Sequence, residues 1–149
     1  MIKHVWTVVC QNVIIDRNTN NLSLQNIFEQ IDIQGEPTPK AKVPIKFDVV
    51  SLWTRTNPDI PSRGQMRLSL LSPSGEKIGG REGEINLVDT ERYRIVTHFP
   101  GLPAEEAGRH IFKIELQQEA MSEWNQVASV PLTVNFSPPE IEEEEEIEV

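Results

Sequence analysis

The side chains best suited to chemistry are three histidines and one cysteine, and all four are isolated in the sequence. His4, His98 and His110 belong to no HxH, HxxxH or CxxC motif, the spacings that bring metal ligands together. Cys10 could act as a nucleophile only beside a base that lowers the pKa of its thiol. It shares the alternation phase of Trp6, which predicts a small buried residue instead. We therefore expect no metal, no cofactor and no catalytic residue at these positions.

Other catalytic patterns are also missing from the sequence. The serines at 62, 72 and 74 lie outside any G-x-S-x-G frame, and GGREGE at 79–84 lacks the GK[ST] ending of a phosphate loop. No D-x-D-x-D calcium loop occurs. His110 has the phase of apolar neighbours, which predicts a buried imidazole bonded to a loop carbonyl. The protein is predicted not to be an enzyme.

Two alternating segments between Gly108 and Phe136 predict a β-hairpin. Phe112 and Ile114 share one face of the first segment, and Leu132 and Val134 share one face of the second. This period of two is typical of half-buried strands. These side chains are predicted to lead the core.

The rest of the chain predicts an all-β fold. Short alternating segments are separated by turn signals at roughly ten-residue spacing, which is typical of antiparallel β-sandwiches. We expect seven to nine strands with Greek-key connections, and a β-barrel is the alternative. A change of phase predicts a β-bulge at Asn26–Phe28. A strand is predicted to begin at Val43. The glycines at 79, 80 and 83 are predicted to bracket a flexible or bulged point between two short strands.

Charge divides the chain into two parts. The net charge is −9, but the last twelve residues supply seven of the 23 acidic side chains, which leaves 16 acids against 14 bases. We predict a folded domain at 1–137 and an acidic, disordered tail at 138–149. A body with so little net charge has no extended basic surface, and nucleic-acid binding is not expected.

The N-terminal stretch MIKHVWTVVCQNVIID is apolar but short and broken by polar residues. It predicts neither a signal peptide nor a membrane helix. A single cysteine allows no intrachain disulfide, which is typical of a reducing compartment. A cytoplasmic protein without membrane contact is expected.

Two stretches resemble known families. The run LPAEEAGRHIFKIEL is similar to the approach to the penultimate strand of immunoglobulin-like domains, with Glu106, Gly108 and His110 at the corner positions. The opening, from VWTVVC through DRNTNNLSL to IFEQI, resembles a family of uncharacterised bacterial domains of unknown function. The residues that carry this second resemblance are Asp16, Thr19, Asn20, Ser23, Leu24, Glu29 and Ile31. It implies a bacterial cytoplasmic protein with one β-rich domain and no assigned activity.

These observations favour a non-catalytic protein-interaction or assembly module. Trp53 and Trp124 lie near predicted loop ends, where an aromatic ring can anchor a partner, and Pro131 predicts a sheet edge at Val130–Phe136. That edge could pair with a protein partner or with a second copy in a homodimer. Further contacts are predicted for the tail residues Ile147 and Val149. The alternative is a small-ligand module, for carbohydrate, that uses exposed aromatic residues.

Overall fold

The computed structural model describes residues 1–37 and 42–137, which form nine strands in two sheets. The strands are β1 (Ile2–Ile15), β2 (Leu22–Ile27), β3 (Gln30–Gln34), β4 (Phe47–Arg55), β5 (Ser62–Leu71), β6 (Lys77–Leu87), β7 (Arg92–Phe99), β8 (Gly108–Gln118) and β9 (Asn125–Ser137). The predicted all-β sandwich is confirmed. No helix in the described residues is long and apolar enough to cross a membrane.

The first sheet has the strand order β2-β1-β4-β7, and the second has the order β3-β9-β8-β5-β6. Two separate sheets exclude the barrel alternative. The chain passes from one sheet to the other after β2, β3, β4, β6 and β7, in the manner of Greek-key sandwiches. All pairs are antiparallel, as predicted for the sandwich, except β3 and β9, which run parallel.

The core between the sheets contains the side chains that the alternation predicts. Phe112, Ile114, Leu132 and Val134 are all fully buried. The ring of Phe112 makes edge-to-face contacts with the rings of Phe47 and Phe99, with centroids 6.0 and 5.9 Å apart. These three aromatic side chains join the two sheets, and such contacts add to the stabilisation from burial.

The change of alternation phase at Asn26–Phe28 is a switch between sheets and not the predicted β-bulge. Asn26 has a positive φ of 51°, and β2 ends one residue later. The Phe28 amide donates to the Val9 carbonyl in the first sheet at 2.8 Å. The Thr133 amide of the second sheet donates to the Glu29 carbonyl at 3.2 Å. Two consecutive residues thus connect the sheets, and the inward phase reverses because β3 joins the opposite layer.

Two predicted strand limits are also wrong. Val43 precedes β4 and forms an isolated bridge with Leu102, with hydrogen bonds of 2.8 and 2.9 Å. Pro44 follows and cannot donate to a ladder. Strand β6 is continuous through its glycines, although its register against β5 shifts beside Gly79, where a bulged point is predicted. A Cβ at Gly80 would lie 2.6 Å from the Leu68 carbonyl oxygen, so this glycine permits close packing and does not mark a break.

The β1–β2 hairpin folds over the outer face of the first sheet. Cys10 and Val50 point away from the core, opposite to Val9 and Val49, yet both are fully buried. At the hairpin tip, the Arg94 guanidinium of β7 donates to the main-chain and side-chain oxygens of Asn20. The hairpin therefore covers part of an otherwise solvent-facing surface, a feature that the sequence patterns did not predict.

The corner before β8 contains the residues that carry the immunoglobulin-like resemblance. His110 is fully buried, and its Nδ1 donates to the Gly108 carbonyl at 3.2 Å, which confirms the predicted imidazole–carbonyl bond. Gly108 has a φ of +126°, and a Cβ there would lie 3.1 Å from the Pro73 ring. The Glu106 carboxylate accepts a hydrogen bond from the Ser74 hydroxyl at 3.0 Å.

Candidate functional site: a groove between two strand edges

An apolar groove of about 510 Å³, here called the side groove, runs along one side of the sandwich. Its walls are the edge of β1 and the edge of β9, and the crossover between β2 and β3 bridges them. The lining residues are Thr7, Val8, Val9, Ile27, Phe28, Glu29, Arg109, Val130, Pro131 and Thr133.

One wall is a partly unpaired edge of β1. On one side β1 pairs with β4 from Ile2 to Cys10, but on the other side β2 covers only Cys10–Ile15. Within the described part of the chain, no strand pairs with the outer edge of Lys3–Val8. The start of this edge is capped, because the Gln118 side-chain amide exchanges two hydrogen bonds of 2.9 Å with the main chain of Ile2. The rest of this edge has room for about two further pairs of main-chain hydrogen bonds with an added strand.

The other wall is the first half of β9. Strand β3 pairs with Thr133–Ser137 and leaves the outer edge of Asn125–Leu132 without a strand, as far as the described residues go. The prediction of an edge at Val130–Phe136 is therefore correct before Thr133 and wrong from Thr133 onward. Pro131 is exposed in the open part. Its missing N–H makes this edge a poor template for pairing.

The groove is bordered by exposed apolar side chains. Ile27 is 58% exposed at the end of β2, and Val5 is 45% exposed where a bulge shifts the β1 register. Phe28 is half-buried and packs against the core from the crossover. Arg109 and Glu29 place one charge of each sign beside this surface. Water-exposed apolar side chains next to free backbone groups are typical of protein-interaction sites.

Trp53 does not contribute to any surface. Its ring is fully buried on the inner face of β4 and makes an edge-to-face contact with the His4 ring at 5.1 Å. The indole nitrogen has no hydrogen-bond partner among the described residues. The prediction of Trp53 as a partner contact is wrong because its side chain points from β4 into the core and not toward the surface.

Trp124 lies half-buried on the outer face of the second sheet. The Arg67 guanidinium carbon is 4.0 Å from the centroid of its ring, a cation–π contact. Arg67 also pairs with Glu82 at 3.2 Å and with Glu115 at 3.8 Å. Trp124 is thus away from the side groove and covers a surface ion network. The predicted contact residues Ile147 and Val149 lie outside the described residues.

The three histidines are held in separate places. The His4 Nε2 bonds to the Thr7 hydroxyl at 2.7 Å, and the His98 Nδ1 lies 2.5 Å from the Asp48 carboxylate. His110 belongs to the other sheet. Among the described residues, no three His, Cys, Asp or Glu side chains are grouped to hold a metal ion.

Cys10 lies beside Asp48 in the first sheet, and the two occupy paired positions on β1 and β4. Burial raises the pKa of its thiol, and the Asp48 charge raises that pKa further. A raised pKa suppresses the reactive thiolate. His98 is on the far side of Asp48 and bonds to that carboxylate instead of the thiol. The environment is that of a buried structural cysteine, as its phase predicts.

Comparison with known proteins gives no family for this chain and only remote structural likenesses. No protein-family model matches the sequence, and no curated protein matches it. An immunoglobulin-like protein from Pseudomonas aeruginosa is similar over 91% of this chain and 97% of that chain, at 13% identity and a TM-score of 0.38. The N-terminal domain of PorA is similar over 90% of this chain and 99% of that one, at 10% identity and a TM-score of 0.29.

A partial likeness involves a family 123 glycoside hydrolase from Clostridium perfringens, at 5% identity and a TM-score of 0.41. It covers 74% of this chain but only 23% of the hydrolase. Likenesses this remote carry no activity. The strand order of the two sheets establishes the fold as a β-sandwich.

Proposed function

We propose that this protein is a non-catalytic interaction module that binds an extended segment of a protein partner along the side groove. The observation that carries the proposal is an apolar groove lying between two partly unpaired strand edges. A free edge supplies main-chain hydrogen bonds, and neighbouring pockets select the partner's alternate side chains. Membership of the bacterial domain family and a cytoplasmic location remain predictions.

In this proposal, the open edge of β1 forms the main-chain hydrogen bonds to the partner segment. The bond from the Phe28 amide to the Val9 carbonyl, at 2.8 Å, is the last contact before the chain leaves the first sheet. A partner strand placed along Lys3–Val8 continues the ladder from that point. The opposite wall is less suited, because Pro131 offers no donor.

Side-chain recognition comes from the apolar surface at the crossover. Ile27 and Phe28 lie where the crossover bridges the groove and Val130 lies on the β9 wall, so a bound strand would place apolar side chains at alternate positions between them. Arg109 and Glu29 balance in charge. The preferred partner segment is therefore apolar and uncharged at its centre.

A library of displayed random peptides tests the proposal. Wild-type protein should select extended apolar peptides. Ile27→Asp should weaken their binding by at least about tenfold, since a charge replaces an apolar side chain that the bound peptide would cover. Ile60→Asp is the matched control, because Ile60 is similarly exposed, at 51%, in the loop before β5. Bound peptide should also slow amide exchange at residues 3–8.

Three outcomes would overturn this function. They are failure to select any peptide, equal loss of binding in the Ile27 and Ile60 variants, and protection that appears away from the β1 edge. Because Ile27 is exposed, the variant is expected to keep the parent's unfolding midpoint, and that measurement confirms that lost binding is not lost folding.

A further inference from the structure

A second concave site, here called the hairpin pocket, lies on the outer face of the first sheet. It has a volume of about 940 Å³ and opens between the sheet and the overhanging β1–β2 hairpin. Trp6 and Leu52 line the sheet side, and Ile15 and Leu22 line the hairpin side. The volume is within the range of small-ligand sites. The pocket is separate from the side groove and shares no lining residue with it.

The hairpin wall of this pocket is held in place before any ligand binds. The Asp16 carboxylate accepts hydrogen bonds from the amides of Asn18 and Thr19 at 2.8 and 3.0 Å, and these bonds lower the pKa of that carboxyl. Arg94 then fastens Asn20 to β7. A polar wall that is already ordered loses little conformational entropy when a ligand binds.

The opposite wall, the loop between β6 and β7, is fixed in the same way. The Arg55 guanidinium donates to the carbonyls of Leu87 and Val88 at 2.8 and 2.7 Å. The Thr54 hydroxyl donates to the Glu91 carbonyl at 2.8 Å. Both polar walls of the pocket are therefore ordered in advance on either side of Trp6 and Leu52.

The polar lining combines donors and acceptors without net charge. Asp89 and Glu91 offset Arg92 and Arg94, and the hairpin tip adds the amide of Asn21. A charged ligand gains no net attraction from such a lining. A ligand with many hydroxyl groups can use both donors and acceptors, and the half-exposed Trp6 offers an apolar ring face.

The pocket lies over the face of a sheet and not along the edge of a strand. A peptide would find no ladder to join between Trp6 and Leu52, because both strands are already paired with each other there. We propose that the hairpin pocket binds a neutral carbohydrate, with Trp6 stacking on the sugar ring and Asn21, Asp89 and Arg92 bonding to its hydroxyl groups.

An oligosaccharide array that includes neutral and acidic glycans tests this proposal on the full chain. Neutral glycans should bind, and Trp6→Ala should weaken the binding by about tenfold, the loss expected for an aromatic contact. Trp124→Ala is the matched control, because Trp124 is also a half-buried tryptophan but lies on the other sheet. It should leave binding unchanged.

Two further variants keep the test valid if Trp6→Ala does not fold. Asn21→Ala and Asp89→Asn change exposed side chains and should each weaken binding about three- to tenfold, the loss of one hydrogen bond. Absence of binding to any neutral glycan, preference for acidic glycans, or insensitivity to Asn21→Ala and Asp89→Asn would each overturn the proposal. Ile27→Asp should leave glycan binding intact, which separates this site from the side groove.

Discussion

Arg94 and Asn20 are 74 residues apart in the chain, yet the Arg94 guanidinium donates to the main-chain carbonyl and the side-chain oxygen of Asn20. The bond fastens a hairpin tip to the far edge strand of the same sheet. Cys10 and Val50, which point outward from the same sheet, are fully buried as well. One polar contact thus closes the hairpin over the sheet and shapes the hairpin pocket.

Arg94→Ala should loosen the hairpin and leave the core intact. Loss of one such hydrogen-bonded contact costs about 1 kcal/mol, so local opening should increase about fivefold. Amide hydrogen exchange should quicken in residues 11–27 while β8 keeps its protection. Arg92→Ala is the control, because the Arg92 side chain is exposed and makes no hydrogen bond in the described structure. Equal exchange rates in the two variants would show that the Arg94 contact does not hold the hairpin.

Phe112→Ala should be strongly destabilising. The side chain is fully buried in edge-to-face contact with the rings of Phe47 and Phe99, and its removal leaves a cavity that costs about 3–5 kcal/mol of unfolding free energy. Denaturant unfolding measures this cost. Ile111→Ala, one position along the same strand on the outer face, should cost far less. Similar midpoints for the two variants would mean that the inward face of β8 is misassigned.

Alternation made the core predictable, because side-chain phase is a local property of a strand. For this reason the sequence alone predicts the core positions Phe112, Ile114, Leu132 and Val134. Long-range choices were not predictable in the same way. The phase change at Asn26–Phe28 has two local solutions, a bulge or a change of sheet, and only pairing of β3 with β9 decides between them.

The side groove was partly predictable and the hairpin pocket was not. Pro131 lacks a donor, which indicated an edge, but coverage of Thr133–Ser137 depends on β3 joining from the other layer. The sequence predicts Trp53 as a surface contact and the structure buries it. An aromatic residue near the end of an apolar run has the same local sequence pattern whether its side chain lies in the core or at the protein surface. The Arg94–Asn20 contact joins two polar residues that the sequence pattern places at the surface. Hydrophobic periodicity does not predict contacts between such residues.

Stability should fall as the pH is lowered below about 6.5, the ordinary pKa of histidine. Burial lowers the pKa of His110 in the folded state, although the bond to Gly108 and the charge of Glu106 oppose the shift. The unfolded chain therefore takes up the proton first, and stability present above pH 6.5 is lost as the pH falls toward the folded-state pKa. Burial lowers the pKa of His4 in the same direction.

Unfolding free energies measured across pH 7 to pH 5 check this dependence. His110→Gln should flatten the slope, and adding His4→Asn should flatten it further. The slope is the readout, so an overall loss of stability in the variant does not obscure the result. An unchanged slope in the double variant would contradict the assignment to buried histidines.

Pro131→Ala should promote self-association. The substitution supplies an N–H on the uncovered part of β9, and one added hydrogen bond per contact is worth about 1 kcal/mol, or roughly a fivefold tighter dimer. Sedimentation velocity at high concentration measures the dimer fraction. Ser129→Ala, on the same uncovered segment, should not change it. A Pro131→Ala variant that stays as monomeric as the parent would show that this edge is protected by something other than the proline.

Removal of residues 138–149 should leave the fold intact. All nine described strands are complete by Ser137, and the removed residues carry seven glutamates beside Ile141, Ile147 and Val149. Like charges at this density repel one another and favour solvation over packing. The unfolding free energy of the truncated chain should therefore match that of the full chain within about 0.5 kcal/mol, the usual range for surface changes.

If the tail instead contributes to partner binding, truncation should weaken the capture of a peptide or protein partner. Raising the salt concentration should reproduce that loss in the full chain, because salt screens exposed charges. A destabilisation of more than about 1 kcal/mol would mean that the tail packs on the sandwich, which would contradict a separate acidic segment.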